Sequence, residues 1–354
     1  MMRAAVFHGP GDVRVERVSE PGPPGPAELL IEPVRAAICG TDSSEYAHGP
    51  KMVPLRAPHP ASGHIGPLIL GHEFVGRVAA VGSEVEGFSG GERVVSGAGV
   101  SCGECGWCRA GRTNLCASYY TLGLSAPGGL AEQVLSPAAI CRVVPDAIDD
   151  DAAAMAQPLA VAIHALERGG VAAGQTLAVI GLGGIGAFVL GAAASRGLER
   201  LVGIDIDPHR LEVARALGAD ATVDAREDDV AKAVREATGG EGADVVIEAS
   251  GAPGSPSAAI HAAKRGGRVV IVGLQAKPPE VDLFDAALRE IDLQTTVAHV
   301  CGTDLPASLE VLAGGEIAAL VLDRVIPLER IVDDGLVPLA EGRAAGKIVV
   351  AVAA

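Results

Sequence analysis

The segment that most constrains this chain is Gly181-Leu182-Gly183-Gly184-Ile185-Gly186, which follows the apolar run at residues 177–180 and opens an Ala-rich helical stretch. In a strand–turn–helix unit each glycine has its own task. Gly181 permits the tight turn, Gly183 lets the backbone come close to a pyrophosphate, and Gly186 lets helix and sheet pack closely. The first helical N–H groups, those of Gly184 and Ile185 among them, have no intrahelical acceptor, and with the positive helix end they face an anion. Such a pattern alone is weak evidence. Here Asp205 ends the next apolar run, 19 residues after Gly186, where a carboxylate accepts from both ribose hydroxyls of NAD. A 2′-phosphate would be repelled there and would want an adjacent Arg. Ile206, Asp207, Pro208 and His209 follow, with Arg210 five positions on. The expectation is NAD, with Arg210 over the adenine or paired with Asp205.

The surroundings of that segment predict a doubly wound α/β fold. Apolar strands at 177–180, 201–204, 221–223, 245–248, 269–272 and 293–297 alternate with amphipathic helices starting near Gly184, Pro208, Asp228 and Pro256. Six strands with crossover helices make two βαβαβ halves. Residues 1–150 read differently. Their β-branched runs at 29–38, 74–81, 93–95, 130–135 and 140–144 are separated by Gly/Pro turns, as in a barrel or sandwich. Residues 45–69 form a Pro/Gly/His-rich excursion too long for a simple turn. Residues 150–168 are Ala-rich and predict one bridging helix. After a helix at 306–312, the strand at 347–352 has no crossover partner left, so the C-terminus is expected to rejoin the first domain. The domains expected are 1–155 with 299–354, and 156–298 for the dinucleotide.

Charge and composition exclude some partners. A formal charge of −16 argues against nucleic acid or an anionic membrane surface. No apolar stretch reaches the ~18 residues of a spanning helix, and the N-terminal run reads as a first strand rather than a targeting signal. A cytoplasmic protein with a small-molecule substrate is expected.

Four of the seven cysteines fall within fifteen residues, as Cys102, Cys105, Cys108 and Cys116. Four thiolates on one Gly-containing loop can close around Zn²⁺ as a tetrahedral cage with no open position, which makes such a site structural. An iron–sulfur cluster is the rival for four cysteines. A second candidate is split along the chain: Cys39-Gly40-Thr41-Asp42 ends one strand and Gly71-His72-Glu73 begins another. A thiolate, an imidazole and a carboxylate or water would leave zinc an open position for an alcohol oxygen. His48, His59 and His64 lie in the excursion between and are read as loop residues, and Asp42 as orienting its own loop.

Taken together, these motifs resemble the zinc-dependent medium-chain dehydrogenase/reductase family over essentially the whole chain. Within it the chain is most similar to the 2,3-butanediol dehydrogenases, with sorbitol and other polyol dehydrogenases next. Cys39 and His72 stand 33 residues apart with the longer loop that contains Pro58-His59-Pro60, and the tail at 323–326 and 346–350 is similar too. The resemblance implies a GroES-like, partly open β-barrel catalytic domain with a structural zinc lobe at 98–118, joined to a six-stranded Rossmann domain. It implies NAD, one catalytic and one structural zinc ion, and a homodimer or homotetramer. Val272, Gly273, Leu274, Val297 and His299 would line the nicotinamide side. The activity implied is NAD-linked oxidation of a secondary alcohol, first a vicinal diol such as 2,3-butanediol with acetoin as the ketone, Thr41 accepting the proton. A polyol or cyclitol is the alternative substrate, and a non-catalytic NAD(H)-binding protein the alternative of another class. Two positions depart from the family. Gln157-Pro158-Leu159 stands where polyol and butanediol members have Glu-Pro-Leu near the metal, so Gln157 brings an amide oxygen and no charge. Ser44 stands where many members have a proton-relaying His.

Overall fold

The computed structural model describes residues 1–353. The chain divides into two compact units, Met1–Ala160 with His299–Ala318 and Leu322–Ala354, and Val161–Ala298 with Ala319–Val321. Among the described residues no helix is long and apolar enough to cross a membrane.

The second unit is built on six parallel strands, β1 (Thr176–Ile180), β2 (Arg200–Asp205), β3 (Ala221–Asp224), β4 (Ala243–Glu248), β5 (Ala263–Ile271) and β6 (Asp292–Thr295). Their order is β3-β2-β1-β4-β5-β6, the doubly wound arrangement expected from the alternation of strands and helices. β1 lies at its centre and is buried at every position, which is why it reads as an unbroken apolar run. Ala178, Ile180, Val202, Val246 and Val269 form the middle of this unit's core, each Val or Ile contributing ~1.5–3 kcal/mol by leaving water. The order reverses between β1 and β4. The crevice at the carboxyl ends of those two strands is where such sheets take a ligand.

In the first unit a seven-stranded, mostly antiparallel sheet brings distant segments together. Strand Glu28–Ala37 sits between Glu73–Val81, with Ala37 opposite Glu73, and Lys347–Ala351, with Ala37 opposite Val349. The Ile38 N–H donates to Ile348 O at 2.9 Å, which pins the chain just before Cys39. One end of the sheet thus gathers residues from positions 39, 73 and 347. The last strand also pairs in parallel with Leu322–Pro327.

Three sequence expectations need correction. Of residues 130–135 only Val134 and Leu135 lie in a strand. The ladder runs instead over Val134–Pro137, because Gly128 and Gly129 turn the chain tightly beneath Gly71, where a Cβ on Gly128 would lie 2.3 Å from Gly71 O. The single helix expected at 150–168 is two, Asp150–Ala153 and Ala156–Gly169. Pro158 has no N–H to give to the carbonyl of Ala154, so it is accommodated only in the first turn of a new helix. Finally, the excursion at 45–69 begins inside a helix, Gly40–His48, whose first turn is closed by Asp42 accepting from the Cys39 N–H at 3.0 Å.

Candidate metal centres and dinucleotide loop

Cys39, at the N-cap of the Gly40–His48 helix, meets His72 and Glu73 at the start of the neighbouring strand. One ligand atom from each lies within 4.8 Å of the other two. His72 and Glu73 are buried at 5% and 1% exposure. The Asp42 carboxylate does more than shape its own loop: Oδ2 holds the Cys39 N–H, and Oδ1 stands 3.5 Å from His72 Nδ1. Burial works to lower the His72 pKa, but the negative charge of Asp42 and of Cys39 outweighs burial and raises it, and a metal cation at the ring would answer the same negative field. The donor set is soft sulfur, imidazole and carboxylate, which suits zinc, and three donors leave a tetrahedral ion one further position. Thr41 Oγ1 lies 3.6 Å from Cys39 Sγ. Ser44, one turn on, accepts from Lys51 Nζ at 2.7 Å. Gln157 is buried near the start of its helix. His59 Nδ1 accepts the N–H groups of Ala61 and Ser62, and His64 Nε2 is 3.2 Å from Pro67 O. Neither they nor His48 belong to the ligand cluster.

Sequence reasoning missed Lys347. Its Nζ donates to the Ile38 carbonyl at 2.9 Å and forms an ion pair with Glu73 Oε2, in a site where both side chains are buried. Glu73 therefore has one oxygen committed to Lys347. The two residues are 274 positions apart, and only the sheet register brings them together. Removing one partner of a buried pair leaves the other charge uncompensated, at a cost of about 3–5 kcal/mol. Lys347→Met is expected to lower the melting temperature markedly, and Lys347→Met with Glu73→Gln to recover part of the loss. A single variant that melts with wild type would show that this pair does not stabilise the site.

The four-cysteine loop is compact. A tetrahedral ion with Zn–S bonds of about 2.3 Å requires S···S edges of about 3.8 Å. Cys105 Sγ and Cys102 Sγ lie 3.5 and 4.0 Å from Cys108 Sγ, and all four sulfurs fall within 4.8 Å of one another. Backbone N–H groups already point at sulfur: Cys102 N and Ser118 N donate to Cys116 Sγ, and Cys105 N donates to Cys102 Sγ. The amides of Cys108 and Ala117 lower the Cys105 thiol to about 6. Cys108 moves the other way, to about 11, through burial and its neighbouring thiols, a penalty that a cation among the four would relieve. Trp107, the single tryptophan, sits in this lobe with Arg112 over its ring at 5.5 Å.

In the second unit the glycines differ in why they are there. Gly181 has φ +87, and a Cβ on it would strike the Ser250 backbone at 2.6 Å. A Cβ on Gly186 would lie 1.7 Å from Gly181 O. Gly183 is different: its backbone is extended, and a Cβ would meet only Arg210 Nη1 at 4.0 Å. No internal contact demands glycine there, so the space above it suits a pyrophosphate. Gly183 is also the N-cap of the Gly184–Ala194 helix and supplies no side-chain cap, leaving the first N–H groups for a ligand. Asp205 is buried at the end of β2, accepting from Leu182 N at 2.6 Å and from the N–H groups of Ile206 and Asp207. The residue expected to meet a ribose therefore also ties down the glycine turn. Arg210 Nη1 stands 3.9 Å from it, the second of its two expected positions. Leu274 and Val297 are exposed at 72% and 52%. His299 falls in the first unit, buried, with Nε2 3.6 Å from Cys301 Sγ.

Comparison with known proteins identifies the family. Residues 25–146 match the alcohol dehydrogenase GroES-like domain, and residues 184–313 match the zinc-binding dehydrogenase family. Human sorbitol dehydrogenase is 34% identical over 336 residues, covering 92% of this chain and 89% of that one. The X-ray structure of 2R,3R-butanediol dehydrogenase from Bacillus subtilis superimposes with a TM-score of 0.91 at 31% identity, covering 99% of both chains. A zinc-binding dehydrogenase from Sinorhizobium meliloti 1021, solved bound to NADP, is 30% identical with a TM-score of 0.87, again over 99% of both. The chain belongs to the zinc-dependent medium-chain dehydrogenase/reductase family, and is with it an oxidoreductase of the NAD(P)-linked alcohol and polyol dehydrogenase type.

Proposed function

We propose that this enzyme oxidises a secondary alcohol with NAD⁺ and reduces the ketone in reverse, a vicinal diol of the 2,3-butanediol type being the leading substrate. The observation that carries this reading is the meeting of Cys39, His72 and Glu73 within 4.8 Å. A zinc ion held there supplies Lewis acidity and lowers the pKa of an alcohol oxygen, and a nicotinamide supplies the hydride acceptor. The first unit is the catalytic domain and the second the dinucleotide-binding domain. Cys39 and His72 are the firm ligands. Glu73 contributes the oxygen that Lys347 leaves, and the Gln157 amide oxygen stands in for the missing carboxylate of the Glu-Pro-Leu motif. Asp42 orients His72 from behind. Thr41 takes the alcohol proton and a water carries it on to solvent, because Ser44 already accepts from the Lys51 ammonium, which has no lone pair to receive a proton. In the second unit Gly183, Gly184, Ile185 and Gly186 receive the pyrophosphate, and Val272–Leu274 and Val297 offer apolar contact to the nicotinamide. The four-cysteine loop holds a structural zinc.

A panel of diols, polyols and secondary alcohols incubated with NAD⁺ tests the substrate class. Vicinal diols are expected to give the highest kcat/KM. A clear preference for sorbitol-like polyols would move the enzyme to that branch, and no NADH from any alcohol would favour a non-catalytic role.

Asp205 is the basis for preferring NAD. Its negative charge on the ribose side repels a 2′-phosphate, and the Arg210 guanidinium already stands 3.9 Å from that carboxylate. Wild type is expected to prefer NAD⁺ over NADP⁺ by about 10²-fold in kcat/KM, the scale of roughly 3 kcal/mol, and Asp205→Asn to narrow that gap at least tenfold. Equal use of both cofactors by wild type would overturn the assignment.

The homo-oligomer has structural support of its own. β6 is the edge of the sheet, and Leu283, Phe284 and Leu288 just before it are exposed at 60%, 77% and 64%, with Leu293 on β6 at 41%. An open edge flanked by apolar side chains is a pairing surface, and a second copy related by two-fold symmetry is the occupant proposed. Light scattering is expected to give a dimer or tetramer that Phe284→Asp weakens. A monomeric wild type would exclude it.

A further inference from the structure

Three of the six parallel strands end in an acid, Asp205, Asp224 and Glu248, and the three are satisfied differently. Asp224 is paired with Arg226, and Asp205 has backbone N–H donors on both oxygens with Arg210 nearby. Glu248 is completely buried. Its Oε1 accepts from Ser250 N, Ser250 Oγ, Gly251 N and Ser255 Oγ, all neutral donors. Its Oε2 has no hydrogen-bond partner and lies against Gly273, where a Cβ would come within 2.7 Å of it. A buried carboxylate is costly unless a positive charge balances it. Four donors on one oxygen hold the side chain in place without supplying that charge.

The position of Glu248 indicates where the balance comes from. It ends β4 and is the ladder partner of Ile180, the residue just before the glycine turn. It therefore stands on the far side of the switch-point crevice from Asp205. A dinucleotide laid across that crevice puts its adenosine half over β2 and its other half over β4 and β5. The ring on that half carries a positive charge when oxidised and none when reduced. We propose that Glu248 is an electrostatic selector for the oxidised, cationic nicotinamide, so that the site favours NAD⁺ over NADH more than its shape alone would. This inference rests on the second unit being a nicotinamide site. Gly273 is fixed independently of this role, since a Cβ there would strike Gly251 N at 2.3 Å before reaching Glu248 Oε2 at 2.7 Å.

The test is equilibrium binding of NAD⁺, NADH and ADP-ribose, the last lacking the ring, to wild type and to Glu248→Gln. A unit charge about 10 Å away at an effective dielectric of about 20 shifts cation affinity on the order of tenfold. Glu248→Gln is expected to weaken NAD⁺ about tenfold while NADH and ADP-ribose stay within about twofold. Equal weakening of all three would mean that Glu248 only props the loop, and no change in any would mean that its charge is not felt; either overturns the proposal. Wild type that binds neither ADP-ribose nor NADH would instead overturn the nicotinamide site itself. Thermal melting shows whether the variant is folded. If it is not, Glu248→Asp decides the matter, since it disturbs the same loop but keeps the charge. Its NAD⁺-to-NADH affinity ratio should then match wild type, and a fall in that ratio would contradict the proposal.

Discussion

Replacing Cys39 by serine is expected to reduce alcohol oxidation at least 10³-fold while leaving NADH affinity within about twofold of wild type. The scale follows from losing a ligand to a catalytic zinc that supplies several kcal/mol of stabilisation, each 1.36 kcal/mol being tenfold in rate. Serine has nearly the same size and leaves intact the Asp42 bond to the residue 39 N–H, so the helix start should persist. What changes is the donor: a thiolate is readily formed and soft, whereas a serine hydroxyl stays protonated and holds zinc poorly. The glycine turn, Asp205 and Glu248 belong to the other unit and should be untouched. Loss of NADH binding together with turnover would show that the substitution damages the fold rather than the chemistry.

Loss of the four-cysteine centre should act on stability first. Cys105→Ser removes the thiol that the amides of Cys108 and Ala117 already lower to about 6, the one most ready to bind metal near neutral pH. Structural zinc contributes on the order of 10 kcal/mol to small zinc-bound folds. Only a fraction of that is expected in a unit with its own apolar core, yet a few kcal/mol at this size moves the melting temperature by about 10 °C. Trp107 makes the event visible, because the only tryptophan lies half-exposed between Cys105 and Cys108. Its fluorescence should shift as a chelator removes the metal and before the bulk of the protein unfolds. An unchanged melt and an unchanged Trp107 signal after cysteine replacement would mean that the loop needs no metal to hold its shape.

What could be read in advance was whatever is encoded locally. The glycine turn and the four-cysteine spacing each occupy one short stretch, the alternation of strands and helices repeats a local pattern, and each found its structural counterpart. Cys39, His72 and Glu73 needed only two short motifs at neighbouring strand ends. What escaped was set by register and packing. Lys347 meets Glu73 because the last strand lies beside Glu28–Ala37, which no pattern around residue 347 announces. Glu248 looks like an ordinary strand end until its unpartnered oxygen is seen against Gly273. Asp42 seemed occupied with its own loop, yet its second oxygen faces His72. The break after Ala153 was legible in principle, since Pro158 cannot continue a helix, but the Ala-rich composition on both sides concealed it.

The most direct test of the Cys39 centre as the seat of an alcohol dehydrogenase is NADH formation measured against bound zinc as the more labile metal is withdrawn. Activity should fall to background as zinc drops from about two ions per chain to about one, with the closed four-cysteine site retaining its own, and should return when zinc is restored. Full activity at about one zinc per chain, or a fully loaded protein that forms no NADH from any alcohol, would contradict it.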